Sequence, residues 1–417
     1  MGAMTLDPVH FDGIADLAGR ISRRVDPTGR GEFADTVYEE FLDPLVEDDR
    51  RVLEPVADLG RRRIDVEDAA LQAAPFETQH GLDSGTINPT TFTNGLVLDV
   101  AQAAMAAVPS DLDLHRARTV VATVHSNDAT VDCGESDWTD FDNKYSRGRI
   151  LQAPHVNRYE DAVVHALSLY LAEVTHATMR ADDVEDLLVL DGPVYPKGLL
   201  AWSGRHQELA DLLVEDRRPR DVVASYIELV ETFVDRDVPL IGFVKTGGAK
   251  TVTRAVRRQR RAPWVDDAAF FRRALERVDA DGDRRTDQLT FTNWFVSRGG
   301  VDEPLSAGGD ALGLDRRLDP ADYEVTFFCV YDPRSDQLFR VEAPAAFTRE
   351  EDRREAISMQ ILRDVAHEHG PPLAVAKADE LARISREEKA ALCRAIEARF
   401  DAERARSYDD ERWGLVV

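Results

Sequence analysis

The chain alternates between two hydrophobic periods, and each change of period marks a change of element. From Val9 to about Ala74 apolar residues recur at three and four, as in HFDGIADLAGRISRRV and EFADTVYEEFLDPLVEDDRRVLEPVADLG. This predicts an N-terminal helical element over residues 1–75. The pattern then changes to strands. ETQHGLDSG, NGLVLDVAQAAMAAV and RTVVATVHSN, with a Thr/Asn-rich turn after the first, predict an antiparallel hairpin or meander. NRYEDAVVHALSLYLAEVTHATM predicts a long helix, DLLVLD a strand, the stretch from Pro219 to Arg236 a helix, and PLIGFVK a further strand. YEVTFFCVYDPRSDQLFRVEAP predicts a hairpin turning at DPRSD, followed by helices near Arg349 to Glu368 and Arg386 to Arg404. Strands alternating with helices predict a mixed α/β sheet flanked by helices. With no internal repeat and no low-complexity linker, residues 76–417 read as one elaborated domain.

Composition narrows the setting more than the function. The 417 residues are 43% hydrophobic, enough to bury a substantial core. The formal net charge is −26, from 78 acidic and 52 basic residues, and only six of the basic residues are lysine. Acidic residues spread along the chain, with lysine scarce, point to a cytoplasm of very high salt. At molar salt the Debye length is roughly 3 Å, so the acidic total does not exclude nucleic acid as a ligand. Cys133, Cys329 and Cys393 are odd in number and lack metal-ligand spacing, which fits a reduced compartment. No apolar run approaches the length of a membrane span and no signal-peptide pattern opens the chain, so a cytoplasmic protein with no membrane association is expected. Met1-Gly2-Ala3 ahead of Met4 reads as a cloning tag outside the fold.

The candidate chemistry lies at strand ends. Asp191 closes the apolar run LLVLD before Gly192-Pro193, and Asp83 ends a short strand before Ser84-Gly85. Each has two readings: a turn-capping aspartate, or a carboxylate that a rigid sheet holds against a metal ion. Two carboxylates brought together repel unless a cation neutralises them, and hard oxygen donors suit Mg²⁺ or Mn²⁺. Glu160 and Glu173 on the intervening helix are both available to complete such a site; about 140° apart, only one of them faces the sheet. Lys245, Lys250, Arg254, Arg257, Arg258 and Arg261 form a basic stripe at helical spacings. It is read either as a phosphate-contacting surface or as a set of partners for the abundant acids. GGAKT is not a phosphate loop, because Ala249 and Val244 stand where glycines are required. DADGDRRTDQLT fails as a calcium loop, since Arg284 replaces the turn glycine and Thr290 the final glutamate. His367 and His369 are two apart, a spacing at which helical side chains do not converge.

GLDSGT, LLVLDGPVYP, PLIGFVKT and PPLAVAKADELARI, in this order and at these separations, resemble the NurA nucleases of archaea, closest to the haloarchaeal branch, over roughly residues 76 to 390. The resemblance implies a ribonuclease H-like fold and a homodimer enclosing a DNA channel. It also implies Mn²⁺-dependent 5′ to 3′ resection of DNA ends and a hexameric HerA-type ATPase as partner. By motif matching, Asp83 and Asp191 take the places of the family's two metal-binding aspartates, and Glu160 is preferred over Glu173 as the helical acidic residue. Asp379 stands where the family commonly has a histidine, and no tyrosine precedes Pro371-Pro372. An aspartate there can bind metal but is a poor proton donor near neutrality, so Lys377 or Lys245 is expected to orient phosphate. The expected function is a Mn²⁺-dependent deoxyribonuclease, with Mg²⁺ as the alternative ion. It acts on DNA ends in double-strand-break repair, with single-strand endonuclease activity as a companion. The competing reading is a non-catalytic DNA-end clamp that regulates the partner ATPase.

Overall fold

The computed structural model describes residues 8–22, 29–128, 130–260, 262–309 and 312–405. Its centre is a sheet in which β1 (Gln79–Thr86), β2 (Leu96–Val108), β3 (Arg118–Ser126), β5 (Leu188–Asp191) and β6 (Leu240–Val244) lie in the order β3-β2-β1-β5-β6. β1, β2 and β3 form an antiparallel meander with Asp83 opposite Ala104, whereas β1, β5 and β6 run parallel. Helix α1 (Glu160–Met179) crosses over from the meander to β5, and α2 (Arg217–Asp235) crosses from β5 to β6. This is the ribonuclease H-like arrangement. A strand the sequence pattern did not predict, β4 (Ser146–Gln152), pairs parallel to β3.

Parallel strands covered on both faces read as unbroken apolar runs, which is why LLVLD shows no alternation. Leu82, Leu188, Leu190 and Leu240 pack with Val163, Leu167, Val223 and Ile227 of α1 and α2. Leu187, Val189, Ile241 and Phe243 pack on the other face. Covering that face are α4 (Glu351–Glu368) and α5 (Leu373–Ala382), which follow α3 (Thr251–Gln259) in the chain. Because side chains alternate along a strand, Gly81, Asp83 and Gly85 share this second face. A Cβ at Gly81 would lie 2.2 Å from the Ala374 carbonyl oxygen, and one at Gly85 2.2 Å from that of Ala382. Only glycine lets α5 lie this close to β1. The sheet continues through β8 (Gln337–Pro344) and β7 (Val325–Asp332), the hairpin expected at DPRSD. A last helix, α6 (Arg386–Phe400), is closed at its start by a Ser385–Glu388 capping box.

The N-terminal expectation needs correction. Helices at Pro8–Ser22 and Gly29–Phe41 are present, but residues 45–65 are three strands. The second pairs with Phe295–Ser297 and the third with Gln288–Thr292, so residues 1–75 contribute to the common sheet. The strand Arg61–Asp65 is nearly all charged; it exists through backbone pairing with a distant partner, which its own residues do not announce. Among the described residues no helix is long and apolar enough to cross a membrane.

Candidate metal centre

Asp83 stands in the second half of β1, Asp191 is the last residue of the neighbouring β5, and Asp379 is in α5, seated on β1 through Gly81 and Gly85. One carboxylate oxygen from each lies within 4.8 Å of the others. The alternation that turns Leu82 and Leu190 toward α1 and α2 turns Asp83 and Asp191 toward α5, so the cluster follows from the strand period. The Ser84 amide donates to Asp83 Oδ1 at 2.7 Å and fixes that carboxylate. Lys245, just beyond β6, donates to Asp191 Oδ2 at 2.6 Å, and Arg383 donates to Asp379 Oδ2 at 3.1 Å. Among the described residues no cation pairs with Asp83.

The electrostatics follow from that asymmetry. Burial, with the charge of Asp191 next, pushes the Asp83 carboxyl up to about 8. Burial also raises Asp191, opposed by Lys245 and reinforced by Asp379. Crowded, partly desolvated carboxylates destabilise one another's charge until a cation neutralises them. Three hard oxygen donors within mutual reach suit a divalent cation of the Mg²⁺ or Mn²⁺ type.

The structure does not bring Glu160 to this cluster. It opens α1, thirteen residues from Glu173 and so roughly 20 Å along the helix axis, where an acidic side chain complements the helix dipole. Glu173 is the nearer of the two, but it approaches from the opposite face of β1. Its Oε1 accepts from Ser84 Oγ at 2.5 Å and its Oε2 from the Tyr226 hydroxyl at 3.0 Å. Burial pushes its carboxyl up to about 7. Glu173 therefore braces the residue next to Asp83 from behind the sheet. The usable signal was its setting: a lone acid inside LYLAEVTHA, flanked by the buried Ala172 and Val174, whereas Glu160 sits among exposed polar residues.

The basic stripe divides. Lys245 belongs to the cluster, and Lys250 is exposed at the start of α3. Arg254 makes two 3.1 Å contacts to the buried Glu47, and Arg258 contacts Glu47 and Asp48. Arg257 donates to the Trp264 carbonyl. These three are engaged within the chain, the pairing reading of the stripe, because α3 packs beside the acidic end of Leu45–Glu47. Arg261 lies outside the described residues. Lys377 is turned away from the cluster toward Ser110 Oγ at 3.2 Å. Arg383, which motif reading passed over, is at the cluster instead.

Comparison with known proteins gives a family. The NurA domain model matches residues 77–384. Among solved structures, the NurA nuclease from Sulfolobus solfataricus is 11% identical, covering 95% of this chain and 98% of that one with a TM-score of 0.47. A NurA structure with manganese is 12% identical, covering 78% and 91% with a TM-score of 0.40. A third, bound to dAMP and manganese, is 10% identical over 84% and 92%, with a TM-score of 0.33. No curated protein matches. The structural likenesses are distant, and the assignment rests on the family model, which spans well over half of the sequence: the chain belongs to the NurA nuclease family.

Proposed function

We propose that this protein is a divalent-metal-dependent deoxyribonuclease. The observation that carries the reading is the convergence of Asp83, Asp191 and Asp379, from two adjacent strands and one helix, on a space one cation can fill. A bound Mn²⁺, or Mg²⁺, would supply a hydroxide nucleophile at neutral pH and neutralise charge developing on the scissile phosphate. The three aspartates would hold it. The Ser84 amide keeps Asp83 oriented, and Glu173 keeps Ser84 in place from behind. Lys245 stands at the outer oxygen of Asp191, where its ammonium can bind and orient a phosphate oxygen of the strand.

Family membership supports a finer reading. The substrate is DNA ends resected 5′ to 3′ in double-strand-break repair, the working form is a homodimer, and the partner is a HerA-type hexameric ATPase. The test is cleavage of 5′-labelled linear DNA at high KCl with Mn²⁺, with Mg²⁺ and with chelator, comparing the parent with Asp191→Asn. Metal-dependent degradation by the parent, abolished in the variant, is expected. Equal cleavage by both would remove Asp191 from the chemistry. One observation favours a second reading: the cluster contains no imidazole, and both helical glutamates lie outside it. DNA binding and stimulation of the ATPase without cleavage in any metal would identify a regulatory clamp.

A further inference from the structure

The cluster carries two cations on different carboxylates, and one of them has no assigned role. Arg383 lies one turn after Asp379, with its side chain 68% exposed and one guanidinium nitrogen 3.1 Å from Asp379 Oδ2. Its base is held firmly. The Arg383 amide donates to the Asp379 carbonyl at 2.9 Å, and the preceding Ala382 carbonyl rests against Gly85 and accepts from Gln102 Nε2 at 3.0 Å. A long side chain anchored at a rigid lip, with its charged end in solvent, can exchange partners without moving the fold.

The charge balance says when it does so. With all three carboxylates ionised, as a bound cation would hold them, they sum with Lys245 and Arg383 to −1. One divalent cation brings the sum to +1, which matches a single phosphodiester. We infer that Arg383 is a substrate-positioning residue: it rests on Asp379 in the metal-free protein and, once a divalent cation takes that carboxylate, turns to a nucleic-acid phosphate beside the scissile one. The geometry of guanidinium and phosphate favours this, since planar bidentate contacts are what arginine makes best. The inference rests on the nuclease reading above. The competing account is an ordinary exposed helix pair, which contributes little.

The two accounts differ in the changes they predict for two binding constants. Arg383→Gln and Arg383→Lys would be compared with the parent, with Mn²⁺ binding followed by electron paramagnetic resonance of the free ion. Binding of a short labelled single-stranded oligodeoxynucleotide would be followed by anisotropy in Ca²⁺. For Arg383→Gln we expect Mn²⁺ to bind about two- to fivefold tighter, because a competing cation is gone. The oligonucleotide should bind about tenfold weaker, with Arg383→Lys intermediate. Unchanged oligonucleotide affinity overturns the inference whatever the metal does. Loss of both affinities overturns it too, because that marks a structural role. If the parent itself neither binds nor cleaves DNA with metal present, the nuclease reading falls and takes the inference with it.

Discussion

Replacing Gly85 by alanine tests whether α5 sets the metal site. The new Cβ would lie 2.2 Å from the Ala382 carbonyl oxygen and 3.1 Å from its carbon, against ordinary contact from 3.4 Å. About 1.2 Å of separation must therefore open at the C-terminal end of α5. The other end is seated on Gly81 in the same way, so the helix tilts about that end and does not slide. Asp379 lies some five-eighths of the way between the two seats, so its carboxylate moves by roughly 0.7 Å, several times the ±0.2 Å that metal–ligand distances tolerate. Affinity for Mn²⁺ should fall about 10- to 100-fold, the scale seen when support for a ligand is lost. Cleavage should fall about 10²-fold. Overpacking should cost about 1–3 kcal/mol of stability. Titration calorimetry with Mn²⁺ and urea unfolding of the same preparation measure both. A variant that is destabilised yet binds Mn²⁺ like the parent would refute the idea that the glycine seat positions Asp379.

Two other outcomes follow from contacts remote from the cluster. Arg254→Gln removes a two-point partner of the buried Glu47, so it should destabilise the protein by about 1–3 kcal/mol; DNA affinity should stay at the parent level, and a selective loss of that affinity would return Arg254 to the phosphate-binding reading. His176 is buried with its Nδ1 3.0 Å from Thr119 Oγ1, and burial drives its imidazole down to about 3 from an ordinary 6.5. The unfolded chain therefore takes up the proton first. Its contribution to stability is complete above pH 6.5 and drains away as pH falls toward 3, with a slope of about one proton. His176→Gln should flatten urea-unfolding stability against pH over that window, and an unchanged slope would exclude His176 as the sensor.

The sheet core was legible because its signals are local and strong. β2 and β3 are rich in strand-forming residues, with β3 alternating over most of its length, β5 and β6 are short apolar runs closed by turn residues, and α1 carries a helical period over twenty residues. Asp191 can be read for the same reason, since it closes such a strand; Asp83, expected to end its strand, lies within β1, which continues through Ser84, Gly85 and Thr86 by pairing with β2. What could not be read depended on partners far away in the chain. Arg61–Asp65 is a strand because of Gln288–Thr292, and Asp379 reaches the cluster because α5 finds two glycines nearly three hundred residues earlier. Motif context points to Glu160 and burial to Glu173; burial decides which face of a helix meets the sheet, and even Glu173 meets it from the side opposite the cluster. The basic stripe showed spacing but not Glu47 and Asp48, which engage Arg254 and Arg258.

Asp83, Asp191 and Asp379 are drawn from segments separated by about a hundred and almost two hundred residues. As the chain leaves the ribosome, the first two can meet on β1 and β5 while α5 is still unmade, leaving an open pair with Lys245 as its companion. The third carboxylate and Arg383 arrive together, almost two hundred residues after Asp191, in α5 and at its C-cap. The proposed metal site thus gains its third carboxylate only after α5 has been translated. Synthesis halted before α5 would leave a fragment that has Asp83 and Asp191 but lacks Asp379.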